Sequence, residues 1–80
     1  MSIKRAILKK LFRHRYIGGR HTEIRNAMKG FPSHLLKNVK KEIQDLIKQN
    51  YLLAKISTKE IHISLNPKML DKIREKIGLI

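Results

Sequence analysis

Residues 33–65 constrain this chain more than any other stretch. Within it, Leu36, Val39, Ile43, Leu46 and Ile47 recur at three- and four-residue spacing, the period of a helix with one buried face. The spacing predicts a helix over 35–49. At about 100° per residue, Lys37, Lys41, Gln44 and Lys48 gather on the side away from that face. Two short β-runs follow at once, over 51–56 and 61–65. They are too short to stand alone and must rest on helices.

The rest of the chain is small and unevenly charged. Eighty residues make one domain with a single core and little margin in stability. Such a length seldom carries an enzyme's pocket as well as its fold, so neither catalysis nor a cofactor is expected. Nineteen Lys and Arg stand against six Asp and Glu, a balance that favours a polyanionic partner. Residues 1–41 hold twelve basic side chains and one acidic; residues 42–80 hold seven and five. There is no cysteine, hence no disulfide and no thiolate metal site. The N-terminus lacks the unbroken apolar run of a signal peptide, and no window approaches the ~20 apolar residues of a membrane span. A cytoplasmic protein with no membrane partner is the expectation.

In chain order, Ser2 is suited to cap a first helix over 3–15, whose core face is Ile3, Ile7, Leu8, Leu11 and Phe12. Arg5, Lys9 and Arg13, four residues apart, form a basic stripe on its other side. Like charges at that spacing repel by a few tenths of a kcal/mol per pair, which suggests compensation by a bound anion. Gly18-Gly19 breaks the pattern, and Arg20-His21 reads as a short extended segment. Thr22 is the expected cap of a short helix ending near Lys29, built on Ile24, Ala27 and Met28. Gly30-Phe31-Pro32 turns the chain, and Ser33 is the expected cap of the long helix. Asn50 sits at a helix stop. Residues 57–60 form the turn between the β-runs, where Ile61, Ile63 and Leu65 alternate with His62 and Ser64. Asn66-Pro67 begins a last helix, lined by Met69, Leu70, Ile73 and Ile77 and ending near Gly78.

This order of elements, and the run from Val39 through Tyr51-Leu52 in which a polar helix end meets an aromatic and an aliphatic residue, resembles the winged helix-turn-helix DNA-binding domains. Through Ser64-Leu65-Asn66-Pro67-Lys68 and the helix beyond it, the chain is similar to small archaeal transcription-regulator-like proteins. The resemblance implies a mainly helical α+β fold: a three-helix core with a β-hairpin wing over 1–65 and an extra helix over 66–80. It implies double-stranded DNA as partner, with the long helix in the major groove. Ser33, His34, Lys37, Asn38, Lys41, Gln44 and Lys48 are then the groove-facing set. Gln44 ranks above Asn38 for a base contact, because Asn38 falls toward the flank of the apolar face. Arg5, Lys9, Arg13, Arg20, Arg25 and Lys29 go to phosphates, which give affinity without sequence information. The wing carries only Lys55 and Lys59 as cations.

Two further readings stay open. The last helix either closes the core or offers Met69, Ile73, Ile77 and Ile80 as the seam of a homodimer. The basic half suits a transcriptional regulator, but also an architectural DNA-binding module or an RNA-binding module of replication or translation machinery. Two Tyr and two Phe are few for stacking single strands. A winged-helix protein adaptor is a third class, for which the concentrated positive charge has no use. Of the four histidines, His14, His21, His34 and His62, none pairs with another at ligand spacing, and no acidic cluster lies nearby in sequence. No metal site is expected.

Overall fold

The computed structural model describes residues 2–78. Four helices pack with a three-stranded antiparallel sheet in the order α1 (Ile3–Arg13), β1 (Thr22–Glu23), α2 (Ile24–Met28), α3 (Leu36–Lys48), β2 (Leu52–Ile56), β3 (Ile61–Leu65) and α4 (Leu70–Ile77). The mainly helical α+β class expected from the sequence is the one observed. Among the described residues no helix is long and apolar enough to cross a membrane.

The core is a single cluster. α1 contributes Ile7, Leu8 and Leu11; α3 contributes Val39, Ile43 and Leu46; Ala27, Leu52, Ile63, Leu65, Ile73 and Ile77 complete it. These are the residues whose helical and strand periods marked an inward face. Burying a side chain of this size is worth roughly 1.5–3 kcal/mol. α4 packs against α1, and Ile73 and Ile77 are spent within the chain's own core. The core-closing alternative therefore holds for Ile73 and Ile77. Met69 is half-buried against the same cluster, and Ile80 lies outside the described residues.

Helix ends explain most departures from the expected boundaries. α1 stops two residues early because Arg15 adopts a left-handed conformation (φ 60°). This lets the N–H groups of Arg15 and Tyr16 close back onto the carbonyls of Phe12 and Leu11, a Schellman stop. Asn50 (φ 67°) ends α3 in the same way, with Asn50 and Tyr51 donating to Ile47 and Leu46. At the other end, Ser33 does not cap α3. Ser33–Leu35 is a 3-10 turn, and no side-chain cap precedes α3. The Ser2 cap does form, its oxygen accepting from the Arg5 amide. So does that of Asn66, which accepts from the Lys68 amide at 3.1 Å and opens a 3-10 turn over Pro67–Met69 before α4.

The short extended segment lies at Thr22–Glu23, two residues beyond its expected place, where Thr22 pairs with Ile63 and Glu23 with His62. Thr22 is thus a buried strand residue. Its hydroxyl accepts from the Asn26 side chain at 2.9 Å instead of capping α2. Upstream, the Leu65 amide donates to Tyr16 and the Gly18 amide to Leu65. Gly18 is favoured there: φ is +61°, and a Cβ would lie 3.2 Å from the Pro67 side chain, closer than ordinary contact. Ser64, expected on the outer face of β3, is buried under this segment and donates to the Gly18 carbonyl at 2.8 Å. Ile61, expected inward, is exposed, because the hairpin projects past the core where Ile56 pairs with Ile61. Replacing Ile73 by Ala should cost about 2–4 kcal/mol in urea unfolding, as a core position would and a surface seam would not.

Candidate nucleic-acid interface

Ser33, His34, Lys37, Asn38, Lys41, Gln44 and Lys48 are all exposed, on α3 and the turn that leads into it. Burial of Val39, Ile43 and Leu46 fixes the roll of the helix and so turns Lys37, Lys41, Gln44 and Lys48 outward together. Asn38, expected toward the flank, is exposed with them. Among the described residues the salt bridges involve Lys4 and Arg25. The lysines on the outer face of α3 thus have no carboxylate partner in that set.

The remaining cations divide by what they touch. Lys4 reaches from α1 to α3, where it pairs with Asp45 and, at 3.7 Å, with Glu42. The hydrogen bond to Asp45, with the charges of both acids, raises the Lys4 pKa above its ordinary value. Lys10 Nζ donates to the carbonyls of Asn26 (3.0 Å), Ala27 (3.4 Å) and Lys29 (2.6 Å). It therefore satisfies the C-terminal end of α2, where a cation is favoured. Partial burial, then the charge of Lys29, pull its pKa down. Both lysines hold the helices together and were not singled out in the sequence, since a basic residue looks the same whether its partner is a carbonyl or a phosphate.

Arg5, Lys9 and Arg13 form the expected exposed stripe on α1. Arg5 also donates to the Ile77 carbonyl at 3.5 Å. Lys9, Phe12, Arg13, Arg15 and Ile77 line one hollow. The guanidinium carbons of Arg15 and Arg74 stand 5.4 and 5.7 Å from the centre of the Phe12 ring. Arg15 comes from the turn that ends α1, and Arg74 joins the stripe only because α4 folds against α1. Arg20 is exposed, its guanidinium 5.8 Å from the Tyr16 ring, and Lys29 is exposed.

Arg25, unlike the other phosphate candidates, has carboxylate partners among the described residues: it bonds Glu60 and, at 3.1 Å, Glu23, while its side chain stays largely exposed. Glu23 is held below the usual carboxylate range, first by a hydrogen bond with Glu60 and then by Arg25. Lys40 and Lys59 share a hollow with these three side chains. Lys55 and Lys59 on the hairpin are exposed as expected. The hairpin also exposes Leu53, Ile56 (83%) and Ile61, an apolar tip that alternation alone did not reveal.

Two of the four histidines come together across the sheet. His21 and His62, 41 residues apart, meet with their Nδ1 atoms 2.8 Å apart. Pairing of β1 with β3 sets Glu23 opposite His62, and Glu60 lies at the mouth of the same strand. A cluster that no local spacing could announce is assembled by the sheet.

Two outcomes follow from these contacts. Lys10→Met should lower stability by about 1 kcal/mol through its lost carbonyl bonds. Lys9→Met, one residue away on the exposed stripe, should stay within about 0.5 kcal/mol in the same denaturant titration. For Glu23 the lowered pKa means its contribution is present above the unfolded pKa and lost as pH falls through the folded one. The Tm difference between wild type and Arg25→Ala should therefore hold at neutral pH and shrink below the ordinary glutamate range, about pH 4.3.

Comparisons with protein-family models, curated proteins and solved structures find no match to this chain.

Proposed function

We propose that this chain is a winged-helix domain that binds double-stranded DNA as a transcriptional regulator. In this reading α3 enters the major groove and β2–β3 is the wing. The observation that carries it is the outer face of α3, where Lys37, Lys41, Gln44 and Lys48 are exposed together without described ion-pair partners. A helix about 10–12 Å across fits the major groove of B-DNA. Lysines there neutralise phosphates or reach guanine, and Gln44 can pair with an adenine edge. The hairpin that follows α3 directly, with β3 central in the sheet, supports the same reading. Of the phosphate set, Arg5, Lys9, Arg13, Arg20 and Lys29 are exposed without a described ion pair, whereas Arg25 must leave Glu23 and Glu60 to reach a phosphate.

One observation favours the architectural alternative as a second reading. The hollow around Phe12, with Lys9, Arg13, Arg15 and Arg74, shares no residue with the α3 face. Two separate basic surfaces suit a protein that holds two duplex segments, and Arg15→Glu/Arg74→Glu would abolish such bridging while leaving single-duplex binding in place.

Fluorescence anisotropy with mixed-sequence duplex DNA at several salt concentrations tests the main reading. Wild type should show a steep negative salt dependence corresponding to about 4–8 phosphate contacts. Lys37→Glu/Lys41→Glu should lose binding, and Gln44→Ala should relax base preference by about 1–3 kcal/mol at one position. Binding that is weak and unchanged in the double variant would exclude α3 as the DNA-facing element.

A further inference from the structure

A second kind of ligand is suggested where the sheet meets α2. Glu23 ends β1, His62 lies opposite it on β3, and Glu60 closes the turn before β3. A ring nitrogen of His62 and one carboxylate oxygen from each glutamate lie within 4.8 Å of one another. We propose that Glu23, Glu60 and His62 form a binding site for a divalent cation of the zinc class, with His21 as the positioning residue for His62. The inference stands apart from the nucleic-acid reading and does not rest on it.

The chemistry of the donors supports it. One imidazole nitrogen and two carboxylates are the borderline-to-hard set that Zn²⁺ accepts, with water as a fourth ligand. Zn–N and Zn–O distances near 2.0–2.2 Å put tetrahedral donors about 3.3 Å apart. With separations of at most 4.8 Å, the three groups need close by no more than about 1.5 Å. None of the three side chains is fully buried, so rotamer changes can supply that closure. Glu23 and His62 are held opposite each other by β1–β3 pairing, and Glu60 lies two residues before His62, next to the start of β3.

Two neighbours sharpen the case. The first is His21, whose Nδ1 meets Nδ1 of His62 at 2.8 Å, the rings nearly perpendicular at 79°. Only one proton fits between those nitrogens, so one ring donates to the other, and when His62 is the donor its Nε2 is left free to ligate. A metal-ligating histidine characteristically has its other nitrogen engaged in this way. The second is Arg25. Its Nη2 bonds both carboxylates, taking the place between them where a cation would go. The Arg25 side chain is 74% exposed, and an ion pair that exposed is worth little. A divalent ion can displace it, after which Arg25 swings into solvent. Lys40 and Lys59, which line the adjoining hollow, and Lys55, cross-strand from His62, oppose the cation and set its affinity lower than the donor set alone would give.

The arrangement makes variants of opposite sign. Zn²⁺ is titrated into chelator-treated full-length protein by calorimetry, with circular dichroism to confirm that each variant is folded. Wild type should bind one equivalent saturably and gain thermal stability with rising Zn²⁺, as a ligand specific to the folded state must produce. His62→Ala and Glu60→Gln should each lower affinity at least tenfold. His21→Ala should lower it about 10–100-fold, the usual effect of removing an orienting partner. Arg25→Gln should tighten binding by removing the competing cation, and His14→Ala and His34→Ala should change nothing. The proposal is overturned if wild type shows no saturable binding, if folded His62→Ala or Glu60→Gln binds as wild type does, or if Arg25→Gln weakens binding.

Discussion

The apolar faces of α1 and α3 bury Ile7, Leu8 and Leu11 with Val39, Ile43 and Leu46 in one core, and the placement of the charged groups on both helices follows from that contact. A helix has one roll about its axis once its apolar stripe is fixed. Setting Val39, Ile43 and Leu46 inward leaves Lys37, Lys41, Gln44 and Lys48 outward as a block. Setting Ile7 and Leu11 inward does the same for Arg5, Lys9 and Arg13. The intermediate positions bring Lys4 onto Glu42 and Asp45, so ion pairs reinforce the helix contact at its rim. Those pairs are part-exposed and contribute modestly; the buried apolar area carries the stability.

Much of this was legible because it depends on periodicity. The face of α3, the run of β3, the Ser2 and Asn66 caps and the Asn50 stop are local patterns, and each appears where the spacing put it. The misses share a different cause. Thr22 reads as a cap because hydroxyl residues favour helix starts, but two strand pairings to β3 claim it. Ser33 has the right chemistry to cap α3, but the chain enters through a 3-10 turn. Ser64 and Ile61 exchange their expected exposure, since residues 16–18 cover one end of β3 while the other end projects past the core. Except at Ser33, where the turn itself is local, a partner distant in sequence overrides a local preference.

The site residues divide along the same line. Exposure of the α3 set follows from helical period alone and could be read in advance. Which cations are spent inside the fold could not, because Lys10 and Arg25 find their partners through tertiary packing. The same holds for the meeting of His21 with His62, and for the addition of Arg15 and Arg74 to the α1 surface. Composition announces an excess of charge; only the fold decides which charges remain available.

That excess is itself a physical argument about partners. Four of the six acidic residues are committed to Lys4 and Arg25: Glu42 and Asp45 to one, Glu23 and Glu60 to the other. Asp71 and Glu75 both lie on α4. The outer faces of α1 and α3 are therefore left with basic side chains whose mutual repulsion the core must offset. Such a surface costs the folded state free energy at low ionic strength, where screening extends about 30 Å at 0.01 M salt against 8 Å at 0.15 M. An anion aligned along either face removes that cost as it binds. The electrostatic term that weakens the isolated domain is thus the same term that favours a linear polyanion on its surface. A compact acidic ligand could answer only part of a charge distribution spread along two helices.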